Sequence, residues 1–169
     1  MTALADLNAL GREGFVAKLG HIFEHSPWVA ERAWDARPFA TVDQLHATMV
    51  GVVDAAAREE QLALIRAHPE LLGRLAQPTA LSAESRVEQA GAGLNAAGDS
   101  ELATLASLNA RYRAKFGFPF IVAVRGMNRA EIVARMEERL GHTPEEEFPE
   151  CLRQIARIAR FRLEDLVAS

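Results

Sequence analysis

Along most of the chain the apolar positions recur at three- and four-residue spacing, the period of helices that bury one face. From about Asp6 to Glu24 the candidate core positions are Leu7, Leu10, Phe15, Leu19, Ile22 and Phe23, which predicts one helix. Ser26-Pro27 closes it, because the residue before a proline is pushed out of the helical region. A short helix is expected over Trp28 to Asp35, then one capped by Thr41 that runs to about Ala57, then Arg58 to Ala67. Pro69 suits the first turn of a further helix reaching Leu75. Gln77 to Leu81 reads as a loop, and Ser82 or Ser85 can cap the helix that follows, which Gly91, Gly93 and Gly98 weaken. A long helix begins at Asp99 or Ser100 and stops near Gly117, a good C-cap residue. Asn128 opens a helix that closes at Gly141. Thr143-Pro144-Glu145-Glu146 combines a cap, a proline at the first helical position and a reciprocating Glu, so a last helix is expected to about Val167.

One stretch breaks the pattern. Phe116-Gly117-Phe118-Pro119-Phe120-Ile121-Val122-Ala123-Val124 is apolar and β-prone but interrupted by Gly and Pro. It reads as a short buried extended segment, and its backbone N–H and C=O groups need partners, either within the protein or on a ligand.

Composition agrees with the pattern. The 169 residues include 31 Ala and 19 Leu against 23 Val, Ile and Thr together. The expectation is an all-α, single-domain helical bundle over residues 1–169, of about seven to nine helices with one short extended segment. At this length the core needs no disulfide or structural metal. A net charge of −4 is that of an ordinary soluble surface and argues against a nucleic-acid partner. No apolar run approaches the roughly 20 residues of a membrane span. Cys151 is the only cysteine, which excludes an internal disulfide and a cysteine-based zinc site and suits a reducing compartment. The first residues lack the basic and apolar regions of a secretory signal, and Val-Ala-Ser at the C-terminus is no peroxisomal address, so a cytoplasmic location is expected. The excess of Arg over Lys, 17 to 2, is no argument for anion binding by itself.

Four places carry candidate chemistry. His21-Ile22-Phe23-Glu24-His25 matches the H-x-x-E-H pattern of inverted zinc peptidases, and two His at i, i+4 on a helix face could share a metal. Surface histidines near a helix end explain the same letters. Arg162 lies in the middle of the apolar face formed by Cys151, Leu152, Ile155, Ile158, Ala159, Leu163 and Leu166, whereas Arg153, Arg157, Arg160 and Glu164 share the polar face. An inward arginine must be paired, snorkel outward or bind an anion. Ser85 and Glu88 match a capping box. Ser85, Glu88, Gln89 and Ala92 also share one helix face, where a hydroxyl, a carboxylate and an amide suit a ligand rich in amides. His68, at a helix junction before Pro69, has the side chain best placed to exchange protons near neutral pH; a structural histidine is the plainer reading.

Ser26-Pro27-Trp28-Val29-Ala30, His68-Pro69-Glu70-Leu71, Ser85-Arg86-Val87-Glu88-Gln89 and Phe116-Gly117-Phe118-Pro119-Phe120-Ile121 follow one another in that order. Together they resemble the 2-oxo-4-hydroxy-4-carboxy-5-ureidoimidazoline (OHCU) decarboxylases of uric acid degradation, from about Leu4 to Leu166. The resemblance implies an all-α fold, a cofactor-free decarboxylation of a small anionic ureido-imidazoline, (S)-allantoin as product, and a homodimer. It places the catalytic pair at His68 and Glu88. It places substrate binding at Pro69, Ser85, Gln89, the backbone near Ile121 and Val122, and Arg162. No metal is implied. The residue types leave open which of His68 and Glu88 moves the proton. Two other classes stay in view: a zinc hydrolase built on His21, Glu24 and His25, and a non-catalytic helical interaction module.

Overall fold

The computed structural model describes residues 1–71, 83–91 and 99–168. Among these are nine α-helices: α1 (Leu4–Ala9), α2 (Arg12–Leu19), α3 (Trp28–Ala33), α4 (Val42–Asp54), α5 (Arg58–Ala67), α6 (Ala83–Gly91), α7 (Asp99–Phe116), α8 (Arg129–Leu140) and α9 (Pro144–Leu166). A 3₁₀ turn, Trp34–Ala36, follows α3. The fold is all-α, as the pattern predicts. The pattern does not predict two short strands at the chain ends, β1 (Thr2–Ala3) and β2 (Val167–Ala168), which pair in parallel with Thr2 opposite Val167. The described chain divides into two compact units, Met1–Ala67 with Ala156–Ser169, and His68–Ile155.

In the first unit, Leu7, Phe15, Leu19, Ile22, Phe23, Val29, Leu45, Met49, Leu64, Ile65 and Leu163 form a buried apolar core. The expected helix from Asp6 to Glu24 is in fact two helices with a break at Leu10-Gly11, and the second stops at Leu19. The break has a local cause. The Arg37 guanidinium donates to the carbonyls of Asn8 and Leu10, both at 2.7 Å, and the Trp34 indole donates to Leu10 at 3.2 Å. Carbonyls that would extend a helix are satisfied by side chains instead. The Asn8 side chain also exchanges two 2.8 Å hydrogen bonds with the backbone of Phe39. After Leu19 the chain turns, with His25 at φ 46° and the Ser26 hydroxyl donating to the Glu24 carbonyl. Thr41 caps α4 as expected, accepting from the Gln44 N–H at 3.1 Å.

In the second unit, α7 ends at Gly117, whose φ of 75° is the left-handed cap conformation that glycine adopts without a Cβ penalty. Asn128 and Glu131 form a complete capping box at the start of α8. Thr143 and Glu146 exchange the same pair of bonds at the start of α9. Two expectations need correction. Pro69, Glu70 and Leu71 are not helical. Here α7 captures the chain: Arg113 pairs with Glu70 at 2.6 Å, and the Asn109 amide donates to the Leu71 carbonyl. Residues 72–75 of that expected helix lie outside the described residues, as do the Gln77–Leu81 loop, Ser82, Gly93 and Gly98. Ser85 does not cap α6 but is its third residue. Residues 117–124 form no strand. Phe116, Phe118 and Phe120 instead pack on Tyr112, with ring centroids 4.6, 6.1 and 5.3 Å away.

Candidate active site

His68 follows α5 directly and is buried. Proline at the next position restricts its backbone, and the α7 contacts to Glu70 and Leu71 hold the turn from the other side. On α6, Ser85 is buried and Glu88 half-buried, three residues apart and so on one face. Because Ser85 lies inside the helix, the capping explanation of the Ser85/Glu88 pair falls away. The Gln89 and Ala92 side chains are outside the described residues. Ile121 and Val122 are buried in the extended segment. His68, Pro69, Ser85, Glu88, Ile121 and Val122 therefore belong to one compact unit, and Arg162 to the other.

The backbone of the extended segment is satisfied from side chains. The Arg139 guanidinium donates to the Ile121 carbonyl, and the Ala123 N–H donates to the Gln154 side-chain oxygen at 3.1 Å. Gln154 is held in turn by donating to Glu150 at 2.8 Å. Arg139 is 1% exposed and pairs with Glu147, which is fully buried; its Nε donates to the Glu147 carboxylate at 2.5 Å. The same carboxylate accepts from the Tyr112 hydroxyl at 2.5 Å, and its other oxygen lies 3.0 Å from His142 Nδ1. The Arg139 guanidinium sits 4.4 Å over the Phe120 ring. Burial pushes the Cys151 thiol up to about 11. Burial, together with the adjacent Cys151 and Glu147, pushes the Tyr112 hydroxyl far above its ordinary value. Burial opposes the charge on Arg139 most strongly, but the Glu147 hydrogen bond and the nearby Cys151, Glu147 and Tyr112 together outweigh it, and the guanidinium pKa is raised. At neutral pH the cluster therefore holds one arginine cation beside an un-ionised thiol and phenol.

Sequence reasoning missed this cluster. Arg139 lies among Arg135, Glu137 and Glu138 and reads as surface charge, while Glu147 ends the run Glu145-Glu146-Glu147 and reads as an acidic first turn. A signal was present. The buried positions of α8 are Ile132, Met136 and Arg139, spaced i, i+4, i+7. The wheel argument that singled out Arg162 finds Arg139 as well.

Arg162 is 5% exposed on the apolar face of α9, as expected. Its Nη2 lies 2.9 Å from the carboxylate of Glu24, which is 2% exposed. Its Nη1 reaches the Ile22 carbonyl at 3.3 Å and the His21 carbonyl at 3.5 Å. The pairing resolves the H-x-x-E-H letters differently from the zinc pattern. Residues 21–25 are a turn, not a helix, so the two His do not share a helix face. Glu24 turns inward to the arginine while the His25 side chain is 68% exposed. Among the described residues no group of three or more His, Cys, Asp and Glu side chains is arranged to hold a metal ion.

Residues 8–164 match the family model described as OHCU decarboxylase. The chain belongs to the OHCU decarboxylase family. It is 43% identical over 166 residues to the 2-oxo-4-hydroxy-4-carboxy-5-ureidoimidazoline decarboxylase of Haloferax volcanii, which covers 98% of this chain and 96% of that one. It is 42% identical over 167 residues to the uric acid degradation bifunctional protein PucL of Bacillus subtilis, covering 99% of this chain and 33% of the longer relative. Among solved structures, (S)-allantoin synthase superposes with a TM-score of 0.82 at 32% identity, over all of this chain and 55% of that one. Within the OHCU decarboxylase family, then, the His-Pro turn, α6 and the extended segment of this member share one compact unit.

Proposed function

We propose that this protein catalyses the decarboxylation of OHCU to (S)-allantoin in urate degradation. The observation that carries the reading is the family match across residues 8–164. The site residues add physical support: a buried histidine fixed in a turn, a hydroxyl and a carboxylate on one helix face, and an extended backbone, all in the same unit.

The substrate carries a carboxylate and a hydroxyl on one ring carbon, next to the carbon that bears the ureido group and a C=N bond. When the bond to the carboxylate breaks, CO₂ leaves. The electron pair forms a double bond between the two ring carbons while the C=N pair moves onto nitrogen, which takes a proton. The hydroxyl proton is then lost, and a proton added to one face of the ureido-bearing carbon fixes the S configuration. The substrate supplies its own electron sink, so no cofactor is called for. His68 polarises the hydroxyl and carboxylate centre and handles the proton. Glu88 orients the substrate's polar groups and favours a protonated His68. Arg162 provides a fixed cation. Pro69, Ser85, Gln89, and the Ile121 and Val122 backbone hold the ring and ureido amides. The reading includes a cytoplasmic homodimer, which sedimentation and cell fractionation check.

The test supplies freshly generated OHCU and follows (S)-allantoin by circular dichroism. The wild type should produce the S enantiomer faster than the spontaneous reaction does; a racemic product at the spontaneous rate defeats the proposal. His68→Ala should lose roughly 10²–10⁴-fold in rate, the span of general acid–base assistance, with an unchanged far-ultraviolet spectrum. Near-wild-type turnover by that variant removes His68 from the mechanism.

A further inference from the structure

We propose that Arg139 and Gln154 are positioning residues that turn the N–H and C=O of Val122 toward the substrate. The inference rests on the decarboxylase reading above and assigns work to a buried cluster that the mechanism leaves unused.

Peptide geometry carries the argument. A trans peptide is planar, with its carbonyl oxygen and amide hydrogen on opposite sides. Among the described residues the cis bond is Arg37–Pro38, so both peptides flanking Val122 are trans. The Ile121 carbonyl is gripped by Arg139 from α8. Its peptide partner, the Val122 N–H, must therefore point away from Arg139. The Ala123 N–H is gripped by Gln154 from α9. Its partner, the Val122 carbonyl, must point away from Gln154. The donor and the acceptor of one residue are thus both turned off the side that the two helices occupy. A residue presenting both groups can exchange two hydrogen bonds with one partner amide, as paired residues do across an antiparallel ladder. A ureido or ring-lactam group, with N–H beside C=O, offers the matching pair. Val122, rather than the carbonyl of Ile121, is then the backbone element aimed at substrate.

The grip is itself fixed. Glu147 binds Arg139 Nε and the Tyr112 hydroxyl through the same oxygen, and Glu150 holds the Gln154 amide. The Glu147 carboxylate also neutralises Arg139, which therefore acts through the backbone and not as a second anion site. Gln154 carries no charge and reaches the segment from a different helix, so the two residues can be tested separately.

The experiment uses the full chain, with Gln154→Leu and Arg139→Lys as variants. The first removes the acceptor for Ala123 without stranding a charge. The second keeps a cation for Glu147 but loses the fork needed to hold Ile121 at the same time. Each is assayed with freshly generated OHCU at a temperature where its near-ultraviolet spectrum matches the wild type. The expected result is a KM raised roughly tenfold with kcat within about twofold, the pattern of lost uniform binding. Wild-type KM in a folded variant overturns the inference. If a variant does not fold, the wild type still decides: the Val122 amide signal should shift on saturation with (S)-allantoin, and no shift overturns the proposal. A wild type that does not accelerate decarboxylation defeats the functional reading and this inference together, whereas an active wild type with unchanged variants defeats the inference alone.

Discussion

Among the described residues, each compact unit holds one arginine deep in its core, and the two are supported in different ways. Arg139 is paired with Glu147, whose carboxylate is shared with Tyr112 and His142, and it grips the Ile121 carbonyl while lying over Phe120. Arg162 meets Glu24 at 2.9 Å, with longer contacts to the carbonyls of a turn. A buried cation is tolerated only when desolvation is offset by geometry and by further hydrogen bonds. Arg139 has that offset from rigid helices and aromatic rings. Arg162 takes it from residues 21–24, a turn of backbone carbonyls and one carboxylate. The first arrangement is a structural clamp, whereas the proposed function gives the second a further task, that of meeting a substrate anion.

Removing each cation separates the two roles most sharply. Arg139→Met strands the Glu147 carboxylate in the core and should cost about 3–5 kcal/mol of stability, a fall in Tm on the order of 10 °C for a chain of this size. Arg162→Met removes a charge partner of Glu24, but its main effect should be on turnover. The protein that remains folded should lose about 10²–10³ in kcat/KM, the cost of removing one preorganised electrostatic contact to the reacting group. Thermal melts followed by circular dichroism and initial rates on freshly generated OHCU check the pair. Full activity in a folded Arg162→Met variant would reduce that arginine to a second clamp and erase the distinction.

Legibility in the sequence follows the same division. Arg162 stands out because α9 is long and its apolar face is continuous from Cys151 to Leu166, so one cation among hydrophobic neighbours is conspicuous. Arg139 sits near the end of a shorter helix, where charge is ordinary and favourable at a C-terminus. Its burial is decided by what packs above it, namely Tyr112 from α7 and the 116–124 segment, and these are contacts of long sequence separation. The caps at Thr41, Asn128 and Thr143 were legible because each is settled within four residues. The break at Leu10-Gly11 was not, since Arg37 and Trp34 capture its carbonyls from more than twenty residues away. Around Glu24 the letters match a helical metal motif as one alternative to plain surface histidines, and neither reading points to its partner, which lies on the last helix.

The chain's one cysteine and one tyrosine both lie in the Arg139 cluster, their sulfur and hydroxyl 3.4 Å apart, so alkaline titration probes that cluster alone of the two. Burial raises the Cys151 thiol to about 11 and raises the Tyr112 hydroxyl as well. An acid with a higher pKa in the folded than in the unfolded chain binds more protons when folded. Its contribution is complete below the unfolded value and is lost as pH rises through the folded one. Stability should hold to about pH 8, below the ordinary thiol value of about 8.5, and the thiol's share should fall by about 3 kcal/mol by pH 11, with the phenol adding to the loss above about pH 10. Urea melts at stepped pH measure the slope, which Cys151→Ala should flatten. An unaltered slope in that variant would place the alkaline transition elsewhere.

The smallest effect is expected two residues from Arg162, at Arg160. It pairs with Asp43, and at 2.7 Å with Glu164 one turn along the helix. Both pairs lie at the surface: its side chain is 33% exposed, that of Asp43 77% and that of Glu164 44%. Water already solvates these charges in the unfolded chain, so the pairs exchange one good environment for another and lose side-chain entropy in doing so. Arg160→Ala should cost less than about 1 kcal/mol, and salt should shrink that cost further. Melts of the variant and wild type at low and high ionic strength test this. A loss at Arg160 as large as the loss at Arg162 would mean that burial does not set the worth of an arginine on α9, and the contrast drawn between the two buried pairs would lose its physical basis.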